Sequence, residues 1–174
     1  IGIRARKVFL CFPRLGTKCA IIHPMDATDR KILALLQQDG RLTVTELAER
    51  VGLSVSPCHR RVRALEESGA IAGYRAVIDG SVLGMGFEAI VLVSMHAADR
   101  ASLDEFEAAV AAVPNVLSAE RLFGEPDYLM RVVARDLADY QAMYDEQLAT
   151  LPGVQRLHST LVMKSIVEHR PLPV

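Results

Sequence analysis

Three residues, Gly52-Leu53-Ser54, join two segments that each carry the signals of a capped helix, and no other feature restricts the fold as tightly. The upstream segment TVTELAERVG begins with Thr43 and Glu46 in the T-x-x-E spacing of a capping box. In that device two side chains satisfy two of the backbone donors that a helix leaves unpaired at its start. Leu47, Ala48 and Val51 share one face of this helix, and Gly52 ends it. The downstream segment, LSVSPCHRRVRALEESG, places Ser54 at the N-cap and Pro57 in the first turn, where a missing N–H costs little. Gly69 closes it. A short glycine-led turn between two helices makes a helix-turn-helix.

A helix over DATDRKILALLQQDG precedes the pair. Asp26 or Thr28 caps it, Ile32, Leu35 and Leu36 supply its apolar stripe, and Gly40 stands where a left-handed C′ residue is wanted. After the pair, GAIAGYRAVID, with Ile71, Tyr74, Val77 and Ile78, predicts a small β-ribbon, a wing beside the helices.

Beyond Gly86 the texture changes. FEAIVLVSMHA, NVLSAERLFGE, DYLMRVVAR and VQRLHSTLVMKSIVEH predict strands. SLDEFEAAVAAVP predicts a helix with Leu103, Phe106, Val110 and Val113 on one face. LADYQAMYDEQLATLP predicts another, with Leu137, Tyr140, Tyr144 and Leu148 on one side. The order βαββαβ implies a four-stranded antiparallel sheet with both helices on one face. The other face then needs a cover, and a second copy of the chain is the simplest one. The fold class is α+β: a winged helix-turn-helix domain over residues 25–80 and a ferredoxin-like βαββαβ domain over 81–174. Residues 1–24 form an extension of unclear role. It lacks the apolar stretch and cleavage site of a signal peptide, and its Val8, Phe9, Leu10 and Phe12 could pack on a neighbouring surface.

The net charge of −1 hides an asymmetry. Residues 1–24 hold five basic side chains and no acid, residues 25–80 hold eight of each, and residues 81–174 hold seven basic and thirteen acidic. A chain balanced in this way is no general polyanion binder, so any contact with nucleic acid must come from a local patch. Half of the residues are apolar, enough for a real core, yet no apolar run reaches the roughly 18 residues of a membrane span. Three cysteines, Cys11, Cys19 and Cys58, show no framework spacing, which fits a reducing cytoplasm. Cys11, Cys19 and His23 match no usual zinc pattern, and no metal or cofactor is expected.

The local patch lies on the third helix. Val55, Cys58, Val62 and Leu65 recur at an inward-facing spacing, which makes Cys58 a small core residue rather than a redox centre. Ser56, His59, Arg60 and Arg63 project the other way with Arg61 on the flank, and no acid appears in this helix before Glu66. A guanidinium fork can grip a phosphate or read a guanine edge, and a helix in this position fits the major groove. The residues expected at double-stranded DNA are Thr43, Ser54, Ser56, His59, Arg60, Arg61 and Arg63. The sequence offers no Gly-rich phosphate loop, nucleophile elbow or metal pair. No catalytic residue is expected, and His96, His158 and His169 are taken as surface or strand histidines.

The stretch from Asp29 to Asp79, with its GLS…PC…RV..LE..G.I.GY frame, resembles the DNA-binding half of the Lrp/AsnC (feast/famine) transcriptional regulators. FGEPDYLMRV and LPGVQRLHSTLVMKSIV resemble two marker segments of that family's effector domain. The resemblance spans about 150 residues and leaves out 1–24. It implies back-to-back sheets in a dimer, further assembly to octamers, and a small amino acid bound between subunits. The effector contacts it implies are Gly124, Glu125, Pro126 and Asp127, with Ser159, Thr160, Leu161 and Val162. A zwitterion suits them: Asp127 could face its ammonium, and Gly124 and Thr160 could donate to its carboxylate. GEPD equally reads as a tight turn between strands, and a turn can also be a site. The expected function is sequence-specific, effector-responsive DNA binding. A DNA-architectural protein without effector and a small ferredoxin-like enzyme are the alternatives.

Overall fold

The computed structural model describes residues 25–174, so the expectations for residues 1–24, including Cys11, Cys19 and His23, lie outside it. The described chain divides into two compact units. One runs to Ala76 and takes back His169–Val174; the other is Val77–Glu168.

The first unit holds α1 (Ala27–Gln38), α2 (Val44–Val51) and α3 (Val55–Glu67). The capping box expected for α2 forms, and α1 proves to have one as well. Asp26 accepts from the Asp29 N–H while Asp29 reaches back to the Asp26 N–H, and Thr43 and Glu46 do the same for α2. Ile32, Leu47, Ala48, Cys58, Val62 and Leu65 meet at the centre. Gly52 enters the inter-helix turn at φ 75°, a conformation only glycine takes without strain.

Three local expectations fail here. Gly40 is not left-handed: α1 ends on an extended Asp39, whose carboxylate accepts the Arg41 N–H at 2.9 Å and so turns the chain without help from glycine. Val55 is not inward but 48% exposed, because it opens α3 ahead of the turn that packs. The stretch expected as a ribbon, 70–79, is irregular and has no ladder partner among the described residues.

The second unit holds β1 (Phe87–Met95), α4 (Arg100–Ala111), β2 (Val116–Arg121), β3 (Tyr128–Ala134), α5 (Leu137–Met143) and β4 (Val154–Leu161). The strands pair antiparallel in the order β2-β3-β1-β4. Burial alternates along β1 and β3, so Ala89, Val91, Val93, Tyr128, Met130 and Val132 point to the helices and pack on Phe106, Val110, Tyr140 and Leu148. Residues 162–169, expected to continue β4, lie outside the sheet. Leu137 is 59% exposed rather than on the buried side of its helix. It is the first residue of α5, ahead of the turn that packs. Further on the helix widens into a π turn over Tyr144–Leu148, where the Ala149 N–H donates to the Tyr144 carbonyl, and the buried residues are Tyr140, Met143 and Leu148.

Among the described residues no helix lies on the sheet's other face. That face presents Glu88, Ile90, Leu92 and Ser94 of β1 beside Leu129, Arg131 and Val133 of β3, with Arg156, His158 and Thr160 of β4 along the edge.

Candidate functional site

At about 100° per residue, Val55, Ser56, His59, Arg60 and Arg63 fall within an arc of about 140° on α3, and all five are exposed. His59 and Arg60 have no ion-pair partner among the described residues. Arg63 pairs with Glu67 at 2.8 Å one turn on. That pair is exposed on both sides, so it holds the arginine only weakly against a competing phosphate. Ser54 occupies the N-cap without a side-chain cap bond, which leaves its hydroxyl available at a helix N-terminus that favours anions.

Two of the expected contacts are committed elsewhere. Arg61 lies off the arc and turns back to α1, where its guanidinium meets Asp29 and Asp26 at 2.7 Å each. Those hydrogen bonds, Asp29 first, hold Arg61 still more firmly protonated than an ordinary arginine. Arg61 thus braces α3 from behind, with acids that belong to another helix. The Thr43 hydroxyl donates to the Glu46 carboxylate at 2.7 Å within the capping box, and that carboxylate opposes a phosphate there. Val55 was missed; an exposed branched methyl pair beside Ser56 and His59 suits apolar contact with a thymine methyl.

The effector segments separate into two places. Gly124 (φ 122°), Glu125, Pro126 and Asp127 form the turn between β2 and β3. Asp127 fastens that turn to β1: its carboxylate accepts the Met95 N–H at 2.8 Å, and its own N–H donates to the Val93 carbonyl at 2.9 Å. One of its oxygens is thus already in structural use. On β4, Ser159 and Leu161 face the helix side while Thr160 faces the open side. The Ser159 Oγ accepts from the Tyr140 hydroxyl at 2.5 Å, and the Val162 N–H donates to the Glu88 carbonyl.

Each place has its own cavity. One, of about 370 Å³, lies by α5 and the π turn and takes Ser159 together with Leu137, Tyr140, Gln141, Tyr144 and Leu157. The other, of about 390 Å³, opens on the bare face of the sheet and is lined by Leu92, Ser94, Glu125, Pro126, Arg156 and His158. Ser94 with Arg156, and Leu92 with His158, are cross-strand pairs, so the register itself builds this wall. Glu125 and Arg156 carry opposite charges on one cavity, and neither has an ion-pair partner among the described residues. Arg156 and His158 escaped the sequence reading, although alternation along β4 was the available signal.

The same division of labour appears in known proteins. Residues 25–72 match the family profile described as winged helix-turn-helix DNA-binding, and residues 88–172 match the Lrp/AsnC ligand binding domain. The chain belongs to the Lrp/AsnC family of transcriptional regulators. It is 43% identical to the leucine-responsive regulatory protein of Rhizobium meliloti over 142 residues, 82% of this chain and 91% of that one. It is 40% identical to the proline dehydrogenase transcriptional activator of Rhodobacter capsulatus, over 83% of this chain and 94% of that one. A transcriptional regulator from Neisseria meningitidis, solved as a complex with L-Met, superposes with a TM-score of 0.81 at 38% identity, covering 86% of this chain and 96% of that one. This Lrp/AsnC chain thus has the DNA-binding and ligand-binding modules of a transcriptional regulator, with the α+β architecture expected of it. Among the described residues no helix is long and apolar enough to cross a membrane.

Proposed function

We propose that this regulator grips double-stranded DNA with Ser54, Val55, Ser56, His59, Arg60 and Arg63 of α3, and that a small amino acid bound in the open-face cavity sets its DNA affinity. The observation that supports the second half is the unpaired Glu125–Arg156 couple across one cavity. An amino acid offers an ammonium to Glu125 and a carboxylate to Arg156, with Ser94 and His158 beside them and Leu92 and Pro126 for the side chain. A ligand that neutralises both groups at once is a zwitterion, which neither a simple anion nor a simple cation matches. The L-Met complex of the Neisseria regulator supports this class of effector.

A second copy of the chain covers the bare sheet face in this reading, through Ile90, Leu92, Leu129 and Val133, and encloses the cavity between subunits. Assembly can proceed beyond the dimer to octamers. The protein acts in the cytoplasm as a regulator without a catalytic role. The ligand shifts the equilibrium only by its differential affinity for the assembled or DNA-competent states.

Titration of the purified protein with each of the twenty amino acids, by calorimetry and by fluorescence anisotropy on a duplex it selects from random sequence, tests the proposal. Saturable binding of one or a few amino acids, accompanied by a change in DNA affinity or in light-scattering mass, is expected. Silence in all three readouts across the twenty overturns the effector assignment.

A further inference from the structure

The last six residues, His169–Val174, group with the helices of the DNA-binding unit. Their sequence, HRPLPV, places prolines on both sides of Leu172. Proline has no N–H and pushes the residue before it into an extended conformation. Between Pro171 and Pro173 the one backbone donor is therefore the Leu172 N–H, and Leu172 is held extended before it meets anything. Gln37, the penultimate residue of α1, satisfies both of its polar groups. The Leu172 N–H donates to Gln37 Oε1 at 2.7 Å, and Gln37 Nε2 donates to the Leu172 carbonyl at 3.2 Å. A primary amide presents an acceptor and a donor side by side, so Gln37 serves as one rung of a neighbouring strand would.

A cavity of about 260 Å³ adjoins this clamp, lined by Leu33, Leu36, Ile71, Tyr74, Leu172 and Val174 among others. Leu172 nonetheless stays 72% exposed. The attachment is thus a backbone clamp over a shallow groove, made by a segment that its prolines have already ordered. Such a contact costs little entropy to form and opens without unfolding its surroundings.

We propose that His169–Val174 is a built-in ligand of the DNA-binding unit: a releasable latch, held by Gln37, that carries a signal from β4 to α3. The segment 162–168 joins the latch to β4, the strand that bears Arg156 and His158. At the far end of α1, Asp26 and Asp29 grip Arg61 of α3. One helix therefore holds the latch at its last turn and braces the DNA-contacting helix at its first. The signalling role rests on the amino-acid reading of the cavity, whereas the latch does not.

Four full-length or shortened chains decide it: the wild type, Gln37→Ala, a chain ending at Glu168, and the two changes combined. In the wild type the Leu172 amide should exchange at least about tenfold more slowly than in a free peptide of the same sequence, and Gln37→Ala should restore the free rate. Affinity for a duplex selected by the wild type should shift by about fivefold or more in either single variant, in the same direction. The combined variant should shift no further, since both changes remove one contact. Free exchange in the wild type, effects that multiply in the combination, or unchanged DNA affinity in every variant each overturns the latch. Gln37→Glu keeps the acceptor but sets a second one against the Leu172 carbonyl, so intermediate protection is expected. With amino acids present, the wild-type response should vanish in Gln37→Ala while DNA binding persists; a response equal to the wild type's overturns the signalling role. Should the wild type itself answer to no amino acid, the effector reading fails, and exchange with non-additivity still decides the latch.

Discussion

The outer face of α3 and the open-face cavity of the sheet are both polar sites, but they are assembled in different ways. On α3 every member of the face comes from ten consecutive residues, Ser54 to Arg63, and helical periodicity alone brings them together. The cavity draws Leu92 and Ser94 from β1, Arg156 and His158 from β4, and Glu125 and Pro126 from a turn. Strand register brings these residues together across long stretches of chain. Neighbours in sequence therefore share a site on the helix, while on a strand they are sent to opposite sides, as Ser159 and Thr160 are.

Arg60 and Arg61 break the comparison most sharply if it is wrong. They are adjacent, yet one is on the exposed arc and the other is tied to Asp26 and Asp29. Arg60→Ala should weaken DNA binding by about 1–3 kcal/mol, roughly five- to 150-fold, and leave the thermal midpoint unchanged. Arg61→Ala should do the reverse, lowering the midpoint by a few degrees with a smaller change in affinity. Anisotropy titrations at two salt concentrations, paired with thermal melts, separate the two. Equal affinity losses for both would show that Arg61 leaves its brace to reach the duplex.

Arg156 sharpens the other half. A hydrogen bond to a charged group contributes about 1.5–3 kcal/mol, so Arg156→Ala should cost roughly ten- to hundredfold in amino-acid affinity. DNA affinity without effector should stay as in the wild type. Calorimetry with the amino acid that binds best measures the first, anisotropy the second. Retained binding would move the effector to the cavity beside Ser159.

Ser159→Ala is the milder companion. It removes the acceptor of the Tyr140 hydroxyl, a half-buried bond worth about 0.5–1.5 kcal/mol. Melts should show that loss, and effector affinity should not change. A loss of effector affinity instead would favour the cavity lined by Tyr140 and Tyr144.

These predictions also mark what was legible in the chain. The Thr43–Glu46 capping box, the Gly52 turn and the alternating strands were readable because each is a local device whose partners lie within a few residues. The same locality made the shared exposed face of His59, Arg60 and Arg63 readable. The brace on Arg61 was not readable, because its acids stand 32 and 35 positions away on α1, outside any window drawn around α3. Leu137 was misjudged because periodicity gives a face but not where packing begins, and Leu137 opens its helix ahead of the packed turn. Arg156 and His158 stayed hidden until the register set them opposite Ser94 and Leu92. The clamp of Gln37 on Leu172 spans 135 residues and has no local sign at all.

Acid supplies the gentlest test, because α3 differs from its fellow helices in how it starts. Hydrogen bonds hold five carboxylates below their usual range. The Asp29 N–H does so for Asp26, the Thr43 N–H for Glu46, and the Ser81 and Ser102 hydroxyls for Asp79 and Asp99. The Arg135 guanidinium holds Asp139 down at about 2. A carboxyl whose folded pKa lies below its unfolded one adds stability that is complete above about pH 4–5 and lost as pH falls through the folded value. For Asp139 that loss extends to about pH 2. Ser54 begins α3 with no such group, so of these five lowered carboxylates only Asp26 meets α3, through its hold on Arg61. Asp26→Asn keeps a good N-cap but removes the charge that meets Arg61. Its thermal midpoint should therefore fall less steeply than the wild type's between pH 5 and pH 2, with the two curves converging at the acid end. Parallel curves over that range would mean that Asp29 alone braces the helix.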